Sequence, residues 1–272
     1  MIVDGRADPA CLLLRGDALH TTRCLRPASF DLIYLDPPFF TGRAQRLIRS
    51  EGAGFDDRWN GDLGSYLEWL EQRARTMREL LKSTGSFFLH LDWHAVHAAK
   101  VRMDELFGRD RFINEIIWSY RTGGAGGRRL ARKHDTILFY ARTDAYKFHA
   151  RKVRSDLSHK YGFANAGVQV DDRGPYRMAL LRDVWEIPAL RGNSPERVAF
   201  ATQKPLALLE RIVELVTDPG DRVGDFCCGS GTTLLAAVRL GRQAIGGDIS
   251  PEALALTSTR LRGEPVAHLS QT

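Results

Sequence analysis

The sequence predicts an α/β fold in which helices cover both faces of a mostly parallel, twisted sheet. Short apolar runs alternate with longer amphipathic stretches, and a glycine-rich turn joins a strand pattern to a helix pattern. The length of 272 residues suits one layered domain with an insertion. A composition of 43% hydrophobic and 26% charged residues, with 25 Gly and 11 Pro, excludes collagen-like, low-complexity and wholly disordered chains.

The first half of the chain reads as strands and helices in turn. The run at 30–35 predicts a buried strand, because it is rich in Ile, Leu and Tyr and stops at Pro37. Apolar spacing over 63–81 predicts a helix. The other elements predicted here are strands at 11–14, 86–91, 113–120 and 136–140 and a helix over 96–106.

The α/β pattern is lost between 141 and 193, where basic and polar residues, Gly and Pro dominate. We therefore predict three segments: a catalytic half at 1–140, an inserted region at 141–193 and a ligand-binding half at 194–272. The elements predicted in the last segment are helices over 205–216 and 232–240, strands at 223–226 and 244–249, and a helix beginning at Pro251.

The glycine-rich turn between Asp225 and Thr233 predicts a nucleoside site. Closely spaced glycines let a ligand approach the backbone, and Asp248, 19 residues after Gly229, can accept hydrogen bonds from ribose hydroxyls. A dinucleotide site would place a third glycine where Leu234 stands, which disfavours a dehydrogenase. The alternative is a plain turn without a ligand.

The sequence Asp36-Pro37-Pro38-Phe39 follows a predicted buried strand, where open parallel sheets bind ligands. Two prolines stiffen the loop and leave its carbonyls free to accept hydrogen bonds. Asp36 and the Pro37 carbonyl could hold both N–H groups of a nucleobase amine, while Phe39 stacks on the base. The alternative is a Pro-Pro turn capped by Asp36.

Both motifs, with Thr202-Gln203-Lys204-Pro205 between them, resemble the DNA amino-methyltransferases, which move a methyl group from S-adenosylmethionine to adenine N6 or cytosine N4. The order of catalytic loop, variable region and cofactor loop resembles the β class of that family. The resemblance covers about 12–261. It implies a Rossmann-like methyltransferase fold with circularly permuted motifs, in which the inserted region recognises the target.

The resemblance also implies roles for individual residues. The catalytic set is Asp36, Pro37, Pro38 and Phe39, and the cofactor-binding set is Asp17, Ala18, Lys204, Asp225, Phe226, Cys227, Gly229, Gly231, Thr232, Thr233 and Asp248. This chain departs from the family at Asp225-Phe226-Cys227-Cys228, where Asp-Pro-Phe-Ala is usual. It also has Phe39 where Tyr is commoner, which keeps stacking and removes a hydroxyl.

Positive charge is concentrated in one segment of the chain. The whole chain has a net charge of +6, while 121–160 alone holds eleven basic and three acidic residues, a net charge of +8. Such a segment indicates a nucleic-acid surface, the alternative being a solvated basic face. The glycines and arginines of 41–61 predict a flap that orders on DNA, the alternative being a flexible surface loop. The predicted DNA contacts are Arg43, Arg46, Arg121, Arg128, Arg129, Arg132, Lys133, Arg151, Lys152 and Arg154.

No metal site and no disulfide framework are expected. The four cysteines lack a C-x-x-C spacing, and His90, Asp92, His94 and His97 have no further Cys or His cluster to complete a metal site. We interpret them as a polar strand end near the base pocket. Trp185 is predicted to lie in the core. A polar N-terminus and the absence of a long apolar run predict a cytoplasmic protein outside the membrane.

The sequence therefore predicts a DNA methyltransferase that acts on adenine N6 of a flipped base in double-stranded DNA. Cytosine N4 is the near alternative, because family members with Ser at the position of Asp36 tend to modify cytosine. A nicotinamide-dependent oxidoreductase and an inactive DNA-binding module are more distant alternatives. A cognate restriction endonuclease and a homodimer remain open.

Overall fold

The computed structural model describes residues 10–41, 44–46, 54–56, 62–120, 127–156, 167–264 and 266–270. The helices in these ranges are α1 Ala18–Arg23, α2 Leu63–Leu80, α3 Val96–Phe107, α4 Leu206–Val216, α5 Thr232–Arg239 and α6 Pro251–Arg260. The strands are β1 Cys11–Arg15, β2 Phe30–Leu35, β3 Ala44–Arg46, β4 Gly54–Asp56, β5 Leu81–Leu91, β6 Phe112–Ser119, β7 His134–Ala141, β8 Lys152–Asp156, β9 Gln169–Asp171, β10 Gly174–Leu180, β11 Val184–Glu186, β12 Arg222–Asp225, β13 Gln243–Asp248 and β14 Val266–Ser270.

A nine-stranded sheet forms the centre of the molecule, in the order β11-β6-β7-β5-β2-β12-β13-β1-β14. Neighbouring strands of this sheet are parallel, except that β7 is antiparallel to both β5 and β6. All six residues of β2 are buried, as a central strand covered on both faces requires. The predicted α/β class with a mostly parallel sheet is confirmed.

Helices cover both faces of this sheet, and each face has its own apolar core. Leu32 and Tyr34 of β2 face the layer that contains α4, α5 and α6, whereas Ile33 and Leu35 face α1, α2 and α3. This alternation follows from the two-residue period of a strand. Trp185 is 2% exposed in the first of these cores, so its predicted core position is confirmed.

The segment predicted as an insertion contains regular structure that the α/β pattern does not reveal. Strands β8, β10 and β9 form a separate antiparallel sheet. After it, β11 returns to the central sheet and pairs in parallel with β6, opposite Trp118. The last part of 141–193 therefore belongs to the central sheet.

The chain reverses its direction of winding between β2 and β12, which are adjacent and parallel. From β2 the sheet continues to β5, and from β12 it continues to β13 and β1 on the other side. Ligands of open α/β sheets bind at such a switch point, beyond the carboxyl ends of the strands. The predicted catalytic and cofactor loops both begin at this edge.

Candidate active site

Four carboxylates stand at the edge where β1, β2, β12 and β13 end. Asp36 follows β2, Asp225 ends β12, Asp248 ends β13 and Asp17 lies two residues after β1. They line one open cavity of about 1180 Å³, a volume that includes solvent at its mouth. A concave site with a few convergent polar groups is the usual form of a small-molecule site.

The loop after β2 presents a carboxylate, two prolines and an aromatic ring to this cavity. Pro37 is buried, and the fixed φ angles of Pro37 and Pro38 limit the movement of the loop. The Lys204 ammonium donates to Asp36 Oδ2 at 2.6 Å and lies 4.9 Å from the centre of the Phe39 ring. The fold thus joins two motifs that are 168 residues apart.

Asp225 is a buried acid at the start of the glycine-rich turn. Burial raises the pKa of Asp225 to about 7; a hydrogen bond from Thr233 opposes this rise, and the charge of Asp36 adds to it. The backbone N–H of Cys227 also donates to Asp225 Oδ1 at 3.2 Å. Its carboxyl therefore gains or loses its charge near neutral pH, which suits a partner that carries a positive charge.

Asp248 is fixed by the backbone on both of its oxygens. The Gly229 N–H donates to Oδ2 at 2.8 Å, and the Ser250 N–H donates to Oδ1 at 2.9 Å. Burial raises the pKa of Asp248, while these backbone donors act in the opposite direction. Each carboxylate oxygen can accept a further hydrogen bond, so Asp248 can receive the hydroxyl groups of a ribose.

Glycine is required twice in the turn that precedes α5. Gly231 has φ of +72°, and a Cβ atom there would lie 2.5 Å from Cγ2 of Thr257 in α6. Gly229 has φ of +50°, and a Cβ atom there would lie 2.8 Å from the Phe200 ring. Both positions combine a left-handed backbone with a close approach, which only glycine tolerates.

Asp17 is held by a helix that the motifs did not implicate. It caps α1 by accepting from the Leu19 N–H at 2.8 Å, and its other oxygen accepts from Arg73 at 2.5 Å. Arg73 is 7% exposed, and its guanidinium lies 4.1 Å from the centre of the Trp69 ring. An arginine that interrupts the apolar face of α2 was the sequence signal for this contact.

The cavity gathers the predicted catalytic and cofactor-binding residues, except that Gly231 is not part of its lining. Phe226 lies at its inner limit, 1% exposed and edge-on to Phe30 at a distance of 5.8 Å between the ring centres. Both residues of the Cys227-Cys228 departure line the cavity, and burial raises the pKa of each thiol. Lining residues absent from the predicted sets are Gly16, Tyr34, Trp69, Arg73, Phe200, Thr202, Cys228, Ser230, Ile249, Ser250 and Ala253.

The predicted DNA contacts divide by position. Arg43 and Arg121 lie outside the described residues, and for Arg46 only the backbone in β3 is described. Arg128, Arg129 and Arg132 are exposed in the connection that follows β6, while Lys133 is partly buried. Because β6 runs parallel to β2 through its neighbours β7 and β5, this connection lies at the edge of the sheet that bears the cavity.

The remaining predicted DNA contacts lie elsewhere. Arg151 is 3.5 Å from Glu214 near the end of α4, at the opposite edge of the sheet, so the fold does not bring it to the cavity. Lys152 is exposed at the start of β8. Arg154 forms ion pairs with Asp156 and Asp171 within the small sheet, and its guanidinium lies 3.9 Å from the centre of the Tyr176 ring.

Within the described ranges, no group of three or more His, Cys, Asp or Glu side chains could hold a metal ion. Among the helices of those ranges, none is long and apolar enough to cross a membrane.

Comparison with known families decides the family of this chain. The model of the N6 and N4 DNA methylase family matches residues 30–259, which include the loop after β2, the glycine-rich turn and Asp248. The chain belongs to this DNA methylase family. The motif resemblance seen in the sequence is thereby confirmed at the level of the family.

Two curated relatives of this methylase cover most of its length. The type II methyltransferase M.HinfI of Haemophilus influenzae is 28% identical over 259 residues, which are 92% of this chain and 68% of the relative. The DNA adenine methyltransferase YhdJ of Escherichia coli K12 is 28% identical over 253 residues, covering 92% of this chain and 82% of the relative.

Solved structures share the fold of the methylase. The cytosine-N4-specific PvuII DNA methyltransferase has a TM-score of 0.64 at 19% identity, covering 93% of this chain and 88% of that chain. The complex of M1.HpyAVI with SAM has a TM-score of 0.59 at 21% identity, covering 93% and 99%. The relatives and neighbours thus include proteins named for adenine and for cytosine N4.

Proposed function

We propose that this methylase transfers a methyl group from S-adenosyl-L-methionine to the N6 amine of an adenine flipped out of double-stranded DNA. The observation that carries the proposal is the shared cavity, in which the Asp36-Pro37-Pro38-Phe39 loop faces the buried acid Asp225 and the half-buried acid Asp248. An Asp rather than a Ser at position 36 favours adenine within this family, and the adenine methyltransferase YhdJ among the relatives supports it.

The residues of the cavity fit the methyl donor. The donor combines an adenosine, a sulfonium and an amino acid, and when bound it supplies a methyl group attached to positively charged sulfur. Asp248 accepts from its ribose, and Asp225 receives its ammonium. Asp17 and Ala18 lie beside its adenine. Gly229, which also lines the cavity, would present backbone rather than a side chain to it.

Asp36 acts on the nucleophile. The exocyclic amine of a base attacks poorly, because its lone pair is delocalised into the ring. One amine N–H donates to Asp36 and the other to the Pro37 carbonyl, which favours a pyramidal nitrogen whose lone pair points at the methyl group. Since Lys204 occupies Oδ2, we assign Oδ1 of Asp36 to the amine. Asp36 would take up the surplus proton of the amine as the methyl group exchanges its bond to sulfur, which leaves as a neutral thioether, for the bond to nitrogen.

Phe39 holds the base in place. Its ring offers an apolar face next to Asp36, and stacking on an aromatic side chain is the usual support for a base that has left the duplex. The ammonium of Lys204 lies over the same ring at 4.9 Å, which ties the ring to the ion pair with Asp36. Base and carboxylate are therefore positioned by one connected set of contacts.

The experiment is a methyl-transfer assay with tritium-labelled donor and genomic DNA that lacks base methylation. Hydrolysis and chromatography of the product then separate N6-methyladenine from N4-methylcytosine. Label in N6-methyladenine supports the proposal. Label in N4-methylcytosine would assign the transfer to cytosine N4 instead of adenine N6. DNA without label would overturn the proposed transfer.

The substitution Asp36→Asn tests the assigned carboxylate. An amide has a nearly identical shape but is a weaker acceptor and cannot take up the proton, so we expect the transfer rate to fall by at least about a hundredfold. Donor affinity, measured by calorimetry, should stay within a few-fold. Asp110→Asn, in the exposed turn before β6, is the matched control. Full activity of Asp36→Asn would refute the role of Asp36.

Two further predictions concern partners. The name type II methyltransferase borne by M.HinfI supports the prediction of a restriction endonuclease that shares the recognised site. The homodimer stays a prediction from the family resemblance.

A further inference from the structure

A chain of buried polar side chains lies directly behind the base pocket. The Tyr34 hydroxyl is 2.6 Å from His90 Nδ1, and His90 Nε2 is 3.3 Å from Asp135 Oδ2. Tyr120 donates from its hydroxyl to Asp135 Oδ1 at 3.0 Å. His90 is fully buried and Tyr34 is 1% exposed. These residues come from β2, β5, β7 and the end of β6, so this polar chain of side chains crosses four adjacent strands of the central sheet.

The charge of Asp135 decides how the imidazole of His90 is oriented. Burial disfavours its ionisation, but the hydrogen bond and the charge of His90, followed by the charge of Lys204, outweigh burial and lower the pKa of Asp135. An ionised carboxylate only accepts, so His90 Nε2 must carry the proton that points at it. The Tyr34 hydroxyl and His90 Nδ1 share the hydrogen bond on the other side of the ring, at 2.6 Å. Asp135 thereby holds the His90 ring from one side, and the ring in turn holds the Tyr34 hydroxyl on the other.

The same histidine contacts the ring on which the base would stack. The His90 and Phe39 ring centres are 5.8 Å apart at an angle of 44°, and Trp118 packs edge-on against His90 at 5.5 Å. Phe39 thus contacts both the ammonium of Lys204 and the imidazole of His90. Two residues that line the cavity, Tyr34 and Phe39, are both held by His90 from the side away from the cavity.

We propose that His90 is a positioning residue for base methylation, which sets the tilt of Phe39 and the orientation of the Tyr34 hydroxyl in the base pocket. The inference rests on the proposed function, because it assumes that the pocket receives a base. A polar chain that served stability alone would not need to contact two residues of the cavity, Tyr34 and Phe39. Its removal should therefore slow methyl transfer more than it weakens the binding of donor or DNA.

The test uses substitutions that remove one part of the chain at a time. Tyr34→Phe removes only the hydroxyl, and His90→Phe keeps an aromatic ring while removing both hydrogen bonds. Tyr140→Phe is the matched control, because the Tyr140 hydroxyl also donates to a carboxylate, Asp104, at 2.7 Å but lies on the other side of β7. Methylation rates are measured on a duplex that the wild-type protein methylates. Base flipping is measured separately on the same duplex with 2-aminopurine, which is fluorescent but lacks the N6 amine, at the target base.

We expect Tyr34→Phe and His90→Phe to lower the single-turnover methylation rate about tenfold to a hundredfold, the scale of a small misplacement of reacting groups. Donor Kd and DNA Kd should stay within about twofold, and the 2-aminopurine signal of the flipped base should change in His90→Phe. Tyr140→Phe should keep the wild-type rate and fluorescence, even if its melting temperature falls as far as those of Tyr34→Phe and His90→Phe.

Rates of both variants within twofold of Tyr140→Phe would overturn the inference. If His90→Phe does not fold, Tyr34→Phe decides the question alone. A wild-type protein that methylates no DNA would refute the proposed function instead, so the two failures are distinguishable. Parallel losses of rate, binding and melting temperature in every variant would assign the chain to stability and overturn the positioning role.

Discussion

Asp225 shares its cavity with Asp36 and Asp248, and this crowding of acids governs its ionisation. Burial is the main reason that its pKa rises to about 7, and the charges of the two other carboxylates push in the same direction. Near neutral pH the free protein is therefore a mixture of protonated and ionised Asp225. A ligand that brings a positive charge favours the ionised form, so its binding releases a proton from the protonated fraction.

This linkage predicts that donor affinity rises with pH. Below a pKa of about 7, the cationic donor must first displace a proton from Asp225, so the association constant should grow by up to about tenfold per pH unit. Above that value Asp225 is already charged and the affinity should level off. Calorimetry between about pH 5.5 and 8 measures the slope. Asp225→Asn should bind more weakly and without this rise, and an unchanged slope in that variant would assign the titration to another group.

At the scale of single residues, the sequence predicts which side chains matter better than it predicts their partners. Asp36 and Lys204 are each recognisable from the motifs around them, but no local pattern shows that they form an ion pair across 168 residues. Arg73 lies within a helix pattern, and its contact with Asp17 exists only because α2 packs on α1. Such pairs are made by tertiary packing, on which local periodicity carries no information.

At the scale of elements, hydrophobic pattern predicts the strands that are buried on both faces. The bounds of β2 agree with the predicted strand because all of its residues are apolar or paired in the core. The small sheet escaped prediction for the opposite reason. All three residues of β9 are exposed, and the ion pairs of Arg154 with Asp156 and Asp171 help to hold the sheet, so its sequence has no regular apolar alternation.

The glycine-rich turn offers a test of an element-level contact, the close approach of the turn to α6. Gly231→Ala places a Cβ atom 2.5 Å from Thr257, whereas Gly241→Ala, at a similar φ of +76°, meets its nearest neighbour at 3.9 Å. In both variants the new alanine must adopt a left-handed backbone conformation, which costs about 1–2 kcal/mol. We expect Gly231→Ala to lower both the melting temperature and donor affinity well beyond Gly241→Ala. Equal melting temperatures and equal affinities would show that the turn has room to move.

At the scale of the whole molecule, the positive charge behind the net value of +6 is unevenly distributed. The cavity opens at one edge of the central sheet, and the connection after β6 brings exposed arginines to that same edge. Arg132 stacks on Trp93, which follows the end of β5, with its guanidinium 3.4 Å from the centre of the ring. A negatively charged duplex would therefore meet positive charge next to the pocket that we propose receives its base.

The final prediction tests this placement through salt. Each phosphate contact contributes about −0.9 to the slope of log affinity against log salt on duplex DNA, because counterions are released. Changing Arg128, Arg129 and Arg132 together to Gln should lower DNA affinity at low salt and reduce the magnitude of the slope by up to about 2.7. The net charge falls by the same amount in a control triple variant in which Arg23, Arg26 and Arg262, all exposed, become Gln.

The control residues lie toward the opposite edge of the sheet: Arg23 ends α1, Arg26 precedes β2 and Arg262 precedes β14. If DNA is bound at the cavity edge, the control variant should keep the wild-type slope. The slope depends on the number of phosphates contacted, and the control residues contact none. Fluorescence anisotropy titrations from about 50 to 200 mM salt measure both slopes. Equal slopes in the two triple variants would mean that the arginines after β6 do not contact phosphates, and the DNA would then have to approach the cavity from another side.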